Sequence, residues 1–284
     1  TKSTECRVPE QPRVSPDGPL SATELLSVAL EAAHAAAGLI RDAAPRVRDI
    51  VWQEKGATDF VSEVDLGAEQ RILDVVRRHV PGAAFLAEET ASTISAERQS
   101  SGVVFVIDPL DGTTNFLHGY PEYAVSIGVL VNGSLAAGVV IDVPSNECFT
   151  ATAGGGALLD GNPIHVSKID NPQRALFGTG FPFVRQEEIA PYTQQLARVM
   201  AGASGVRRAG AAALDLASVA CGRFEGFWEI RLSPWDIAAG MLIVREAGGI
   251  VTTLGGTECP VARTSVVAGS AVMHPWLLKT TNGN

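Results

Sequence analysis

Residues 103–118, VVFVIDPLDGTTNFLH, constrain this chain more than any other stretch. Val103 to Ile107 is a short apolar run and reads as a buried strand. Asp108, Pro109, Leu110, Asp111, Gly112, Thr113, Thr114 and Asn115 follow at once. Pro109 has no backbone donor and a fixed φ, so the strand is expected not to continue simply past it. Gly112 permits a tight reversal. Asp108 and Asp111 are thereby forced together at a strand end, where they repel unless a cation lies between them. Hard oxygen ligands of this kind suit Mg²⁺, Mn²⁺ or Ca²⁺. D-x-x-D taken alone is more often an acidic turn that caps a helix. The full stretch is far more specific.

The chain has 284 residues, enough to bury a large core. Hydrophobic residues at 46% exclude general disorder. No apolar run approaches the roughly 18 residues that would span a membrane. The most apolar stretch, Val28 to Ile40, is broken by Glu31 and His34. No signal-peptide pattern is visible, and a cytoplasmic location without a membrane partner is expected. A net charge of −9 argues against a nucleic-acid backbone as partner. For an anionic substrate that charge needs bound divalent cations to reverse the local field. Cys6, Cys148, Cys221 and Cys259 are widely spaced, which points to free thiols in a reducing compartment rather than disulfides or a zinc site.

Residues 1–19 are rich in Pro and polar groups and read as a flexible tail. Ser21 and Glu24 form a capping box, with Leu20 as a staple. An Ala-rich helix follows, with Leu25, Val28, Ala29, Ala32 and Ala36 on one stripe. Residues 51–64 are expected to be extended. Asp65 then opens a second helix, with Ile72, Leu73, Val75 and Val76 facing inward, which Pro81 and Gly82 stop. Ala84 to Ala87 makes a short strand ending in Glu88 and Glu89, and 91–102 is a polar surface loop. Asn132-Gly133 between Tyr123–Val131 and Ser134–Ile141 signals a hairpin. Residues 147–153 and 157–166 add two strands. In the second half, helices at 189–201, 211–220 and 235–246 alternate with strands at 224–230, 250–253 and 265–268. The class is α+β with an α/β second half. The expected division is a tail (1–19), an α+β subdomain with an antiparallel sheet (20–153) and an α/β subdomain (154–284).

Two stretches carry a resemblance. Residues 107–121, IDPLDGTTNFLHGYP, resemble the first signature of the inositol monophosphatase family. Residues 234–249, PWDIAAGMLIVREAGG, are similar to its second. The similarity runs from about Leu20 almost to the end. It implies a five-layered αβαβα sandwich of the inositol monophosphatase/fructose-1,6-bisphosphatase type. It also implies a ligand set: Glu88, Asp108 and the Leu110 carbonyl on one Mg²⁺, and Asp108, Asp111 and Asp236 on a second. A weaker third ion would share Glu88 and water, and Mn²⁺ is an alternative metal. Glu88 stands in Ala87-Glu88-Glu89-Thr90, where the family pattern is G-E-E-S; without the family it reads as a solvated acid.

Asp65 and Thr113 resemble the pair that activates the attacking water. Asp65 alone also reads as a helix N-cap, a reading the motif context outweighs, and Thr113 as a turn residue. Gly112, Thr113 and Thr114 are expected to offer backbone N–H groups to phosphate near a helix start. Lys55 matches a lysine near the metals, and Asp59 an acid behind them. His118 matches a position that is not catalytic, and Cys221 reads as core. There is no G-x-S-x-G elbow, Walker lysine motif or C-x₅-R loop. The route implied is metal-activated water without a covalent intermediate.

Gly210, Ala211 and Ala212 align with a segment whose backbone contacts inositol hydroxyls. Glu229 matches the acid that accepts from them, and is otherwise an edge-strand acid; Asp236 is shared by metal and substrate. The resemblance thus implies Mg²⁺-dependent hydrolysis of myo-inositol monophosphate, with lithium inhibition and a homodimer. Fructose-1,6-bisphosphatase or histidinol-phosphatase activity remains open on the same scaffold, with Arg207 and Arg208 near a second phosphate. A reading from another class is a non-catalytic, RNA-polymerase-associated regulator. Retention of every matched ligand argues against it.

Overall fold

A computed structural model describes residues 20–56, 59–91, 93–183 and 185–283, without the side chains of 54–56 and 59. The expected tail and Cys6 lie outside these residues. The first layer is α1 (Ala22–Ala43) on α2 (Glu63–His79), preceded by a hairpin of β1 (Trp52–Gly56) and β2 (Asp59–Ser62). The Ser21–Glu24 capping box starts α1 as expected. On composition, the helical stretch Ala22–Asp49 is long and apolar enough to cross a membrane, contrary to the sequence reading. Its Ala-rich face is instead packed against α2 and the first sheet. Small side chains bring the helices close, and a 3₁₀ turn with Pro45 in its first turn ends the run.

The second layer is a seven-stranded sheet in sequential order. It comprises β3 (Ala84–Ala87), β4 (Val103–Asp111), β5 (Ala124–Val131), β6 (Ser134–Asp142), β7 (Glu147–Thr152), β8 (Gly156–Leu159) and β9 (Asn162–Pro163). The short α3 (Ala96–Gln99) lies in the expected 91–102 loop, and α4 (Thr113–Leu117) follows β4. The sheet is mixed rather than antiparallel, because β3 and β4 run parallel. A parallel pair needs a crossover, and residues 88–102 supply it. The expected boundary at 153/154 falls inside a hairpin: Gly154-Gly155-Gly156 turns the chain from β7 into β8 of the same sheet. The chain leaves this sheet only after Pro163, and 157–166 is two short strands rather than one.

The third layer is α6 (Ala212–Ala220) and α7 (Pro234–Glu246), packed between two sheets and buried on nearly every side. The fourth is a five-stranded sheet of order β11-β10-β12-β14-β13. Its strands are β10 (Leu176–Thr179), β11 (Gly205–Arg207), β12 (Gly226–Leu232), β13 (Ile250–Thr252) and β14 (Thr264–Gly269). The fifth layer is α5 (Gln186–Gly202) with α8 (Met273–Asn282), over a core of Phe177, Tyr192, Trp228 and Leu277. The five layers match the expectation; β10, β11 and α8 were not read from the sequence.

Two glycines set how α7 meets the seven-stranded sheet. Gly128 and Gly138 are cross-strand partners on β5 and β6. A Cβ on Gly128 would fall 2.6 Å from the Ala238 Cβ, and one on Gly138 3.1 Å from the Ala239 carbonyl oxygen. Both neighbours belong to the first turns of α7, close to Asp236. Gly128→Ala is therefore expected to push α7 off the sheet, destabilising by about 1–3 kcal/mol as overpacking does. Thermal melts check the stability. A change below about 0.5 kcal/mol would show that the helix shifts freely.

Candidate active site

Six segments converge on one cavity of about 440 Å³, lined among others by Phe60, Glu88, Asp108, Asp111, Thr113, Phe183, Arg208 and Asp236. β4 brings the central acids. It continues past Pro109 instead of stopping, by means of a bulge between Asp108 and Asp111. A bulge tolerates the missing proline donor. Leu110 N–H then donates to Asp108 Oδ1 at 3.1 Å. Gly112 makes the reversal at φ +90°, where a Cβ would lie 2.8 Å from the Glu122 carbonyl oxygen. No side chain caps the start of α4, whose residues Thr113 and Thr114 line the cavity.

Asp111 is held from across the chain. Ala211, the N-cap of α6, has no side-chain oxygen, and the Ala213 N–H donates instead to Asp111 Oδ2 at 2.7 Å. Of the expected 210–212 segment, Gly210 lines the cavity; Ala211 and Ala212 are buried and are not among its lining residues. Asn115, not singled out from the sequence, ties the two walls. Its side-chain amide donates to the carbonyls of Glu122 (2.7 Å) and Ala209 (3.0 Å).

Asp65 and Asp236 occupy the same local position on two helices. Each is the third residue of a capping box, with Ser62 and Ser233 as the N-caps. Asp65 Oδ2 accepts from Ser62 N–H (2.8 Å) and Ser62 Oγ–H (2.5 Å). Its Oδ1 accepts from the Thr113 hydroxyl at 2.7 Å. Asp65 thus starts no helix by itself; α2 begins at Glu63, and the cap is Ser62. Asp236 Oδ2 accepts from Ser233 N–H at 2.7 Å.

The acids repel one another. Burial pushes the Asp108 carboxyl well above the usual range, and Glu88, Asp111 and Asp236 push it further. Burial likewise raises Asp111 to about 7, against the hydrogen bond from Ala213. Asp236 rises to about 7 by burial and the charge of Asp111. Among the described residues, no three His, Cys, Asp or Glu side chains enclose an ion by themselves. The donor set is nevertheless all oxygen and clustered. It fits a cation such as Mg²⁺, which completes its shell with water and substrate oxygens.

Glu229 stands beyond the lining residues, on β12 beside a bulge that puts Arg231 at φ +61°. Its carboxyl is raised to about 8 by burial first, then by Asp236, with Arg208 opposing. Gly180 leaves room for it: a Cβ there would sit 1.9 Å from the Glu229 carboxyl. Asp215 on α6, missed in the sequence, is buried behind these acids with Oδ1 unpaired. Arg208 stacks on Phe181 and Phe183, 5.5 and 5.0 Å from the ring centres, and lines the cavity. Lys55 and Asp59 have side chains outside the described residues. His118 hydrogen-bonds the Thr114 carbonyl from an exposed position. Cys221 closes α6 as its C-cap, and burial raises its thiol pKa, away from a nucleophile's needs.

Comparison with known proteins points to one family. The chain is 43% identical over 258 residues to the Nus factor SuhB of Pseudomonas aeruginosa, covering 90% of this chain and 95% of that one. It is 40% identical to an inositol-1-monophosphatase of Mesorhizobium japonicum, covering 92% and 97%. The structure of extragenic suppressor protein suhB from Bartonella henselae superposes with a TM-score of 0.86 at 38% identity, covering 90% and 98%. The model of the inositol monophosphatase family matches residues 21–284, and the chain belongs to that family.

Proposed function

We propose that this chain is a divalent-cation-dependent phosphomonoesterase of small polyol phosphates, with myo-inositol monophosphate as the first candidate substrate. The observation that carries the reading is the Thr113–Asp65 hydrogen bond at the edge of the acid-lined cavity. A site that merely stored a cation would not need it. Held by Glu88, Asp108, the Leu110 carbonyl, Asp111 and Asp236, Mg²⁺ or Mn²⁺ would neutralise these acids, bind phosphate oxygens and acidify water. Thr113 gives its hydroxyl hydrogen to Asp65, so its Oγ lone pairs face the cavity as acceptors. Water loses a proton through Thr113 towards Asp65 as its oxygen attacks phosphorus. Ser62 holds Asp65 in the orientation that receives it. Gly112, Thr113 and Thr114 offer backbone N–H groups to the phosphate. The P–O bond to the polyol breaks, and the leaving oxygen takes up a proton.

Phosphate release from inositol-1-phosphate, fructose-1,6-bisphosphate, histidinol phosphate and 3′-phosphoadenosine-5′-phosphate, with Mg²⁺ and with EDTA, tests the reading. Release from inositol-1-phosphate that EDTA abolishes supports it. Release from another member of the panel alone overturns the substrate, and no release overturns the enzyme. The name of the Pseudomonas relative favours a second reading, action as a Nus factor. Asp108→Asn separates the two, since a binding role survives loss of turnover.

Glu229 is assigned to the polyol hydroxyls. Glu229→Ala is expected to raise KM for inositol-1-phosphate about three- to tenfold, the worth of a hydrogen bond to the carboxyl. KM for p-nitrophenyl phosphate, which carries no hydroxyls, stays unchanged. Equal rises for both substrates would make Glu229 structural.

A further inference from the structure

α2 carries a second buried carboxylate that the reaction above does not use. Asp65 is 1% exposed and Glu69 0%. Four residues apart, they share one face of the helix. Asp65 reaches the β4–α4 turn. Glu69 reaches the other wall of the site: its Oε2 accepts from the Glu89 N–H at 2.8 Å, and its Oε1 from the Thr90 hydroxyl. Burying a carboxylate without a compensating partner is costly. Among the described residues no Lys, Arg or His pairs with Glu69. The two donors from residues 89 and 90 therefore compensate its charge. In return, Glu69 fixes the segment that supplies them.

That segment is the turn at 88–90 which follows β3 and begins with Glu88. Its base is already tied. Ala87 and Ala91 exchange backbone hydrogen bonds (2.9 and 3.1 Å), and Glu88 N–H donates to the Ile107 carbonyl on β4 at 3.2 Å. These bonds hold the ends of the turn, while its outer part, Glu89 and Thr90, rests on Glu69. Glu88 itself lines the cavity, close enough to Asp108 to raise its pKa. One rigid helix thus carries two rulers, Asp65 for the Thr113 side and Glu69 for the Glu88 side.

We propose that Glu69 is a positioning residue: through the Glu89 N–H and the Thr90 hydroxyl it fixes the 88–90 turn, and so sets how tightly Glu88 contributes to cation binding. The proposal rests on the reading of Glu88 as a cation ligand. Carboxylates that orient a ligand from behind change metal affinity by about 10–100-fold when removed.

The test is Mn²⁺ binding to the full chain, followed by electron paramagnetic resonance, with melts in EDTA as a folding control. Glu69→Ala is expected to weaken Mn²⁺ about 10–100-fold. Glu69→Gln retains affinity within about threefold, because its amide still accepts from Glu89 and donates to the Thr90 hydroxyl. Thr90→Val, at an exposed position that leaves the core intact, weakens Mn²⁺ several-fold. The double variant Glu69→Ala/Thr90→Val is no weaker than Glu69→Ala, since both act through one contact. Wild-type affinity in Thr90→Val and in Glu69→Ala overturns the proposal, as does a Glu69→Gln protein as weak as Glu69→Ala. Glu88→Gln reads the parent assignment separately. If it leaves Mn²⁺ affinity unchanged, the ligand assignment fails and takes the proposal with it. If Glu88→Gln weakens binding and the Glu69 and Thr90 variants do not, the proposal alone fails.

Discussion

Asp65→Asn is expected to lower kcat between about 10²- and 10⁴-fold, the range that a positioned general base contributes. KM and the melting temperature should barely move. The geometry explains why the two effects part. Asp65 Oδ2 receives two hydrogens from Ser62, so in the variant the amide oxygen must stay on that side. The amide nitrogen then faces Thr113 and donates to its Oγ. The Thr113 hydrogen is left to the Leu110 carbonyl, already 3.0 Å away. Every hydrogen bond has a replacement and the capping box survives, so the stability cost stays within about 1 kcal/mol. The relay, however, now runs the wrong way. Thr113 can no longer pass a proton to a carboxylate, and a carbonyl oxygen is no base. Steady-state phosphate release at saturating Mg²⁺, with a melt beside it, checks both halves. A kcat within threefold of wild type would reduce Asp65 to a capping residue.

Two readings of Asp65, helix cap or proton acceptor, stand side by side in the sequence, and the geometry is compatible with both: Oδ2 accepts from Ser62 in the capping box, and Oδ1 accepts from the Thr113 hydroxyl. The chemistry of 103–118 was legible because it is local: strand, acids, glycine and threonines follow one another in the chain. What local reasoning missed depends on distant partners. Proline was expected to interrupt β4, but a bulge absorbs it and Asp111 remains on the strand. The mixed sheet escaped notice because parallel pairing leaves no mark on an apolar run as short as Ala84–Ala87. β10 is four residues long and contains Gly178, too little for a period. α8 has Pro275 in its first turn and a mixed composition. Asp111 as the cap of α6 joins residues 102 apart. The five-layer arrangement came from the family signatures, since periodicity fixes elements and not their stacking. One signal was readable. Asp65 and Glu69 fall in the same helical stripe as Ile72 and Val76, and acids in an inward stripe ask for partners.

Asp108→Asn should move stability and activity in opposite directions. Three buried carboxyls have raised pKa values: Asp108 well above the usual range, Asp111 about 7 and Asp236 about 7. A carboxyl raised by folding favours the protonated fold. For Asp111 and Asp236 this contribution is full below the unfolded pKa near 4, and it is lost as pH climbs through the folded value of about 7. In EDTA the protein is therefore expected to melt at progressively lower temperature from pH 5 to pH 8. Over that window the loss is on the order of 3 kcal/mol for a carboxyl displaced as far as Asp111. Mg²⁺ should remove most of this slope, because it binds the ionised form, so its stabilising effect is larger at pH 8 than at pH 5. Asn at 108 keeps an oxygen to accept from Leu110 N–H and removes the charge that its neighbours oppose. The variant should then melt higher than wild type in EDTA at pH 8, respond less to Mg²⁺, and lose turnover by about 10²-fold or more. Melts at pH 5 and pH 8, with EDTA and with Mg²⁺, read the whole argument. A flat profile in EDTA would show that these acids do not repel as their burial requires. A variant that melts lower than wild type in EDTA would assign Asp108 to holding the β4 bulge rather than to binding a cation.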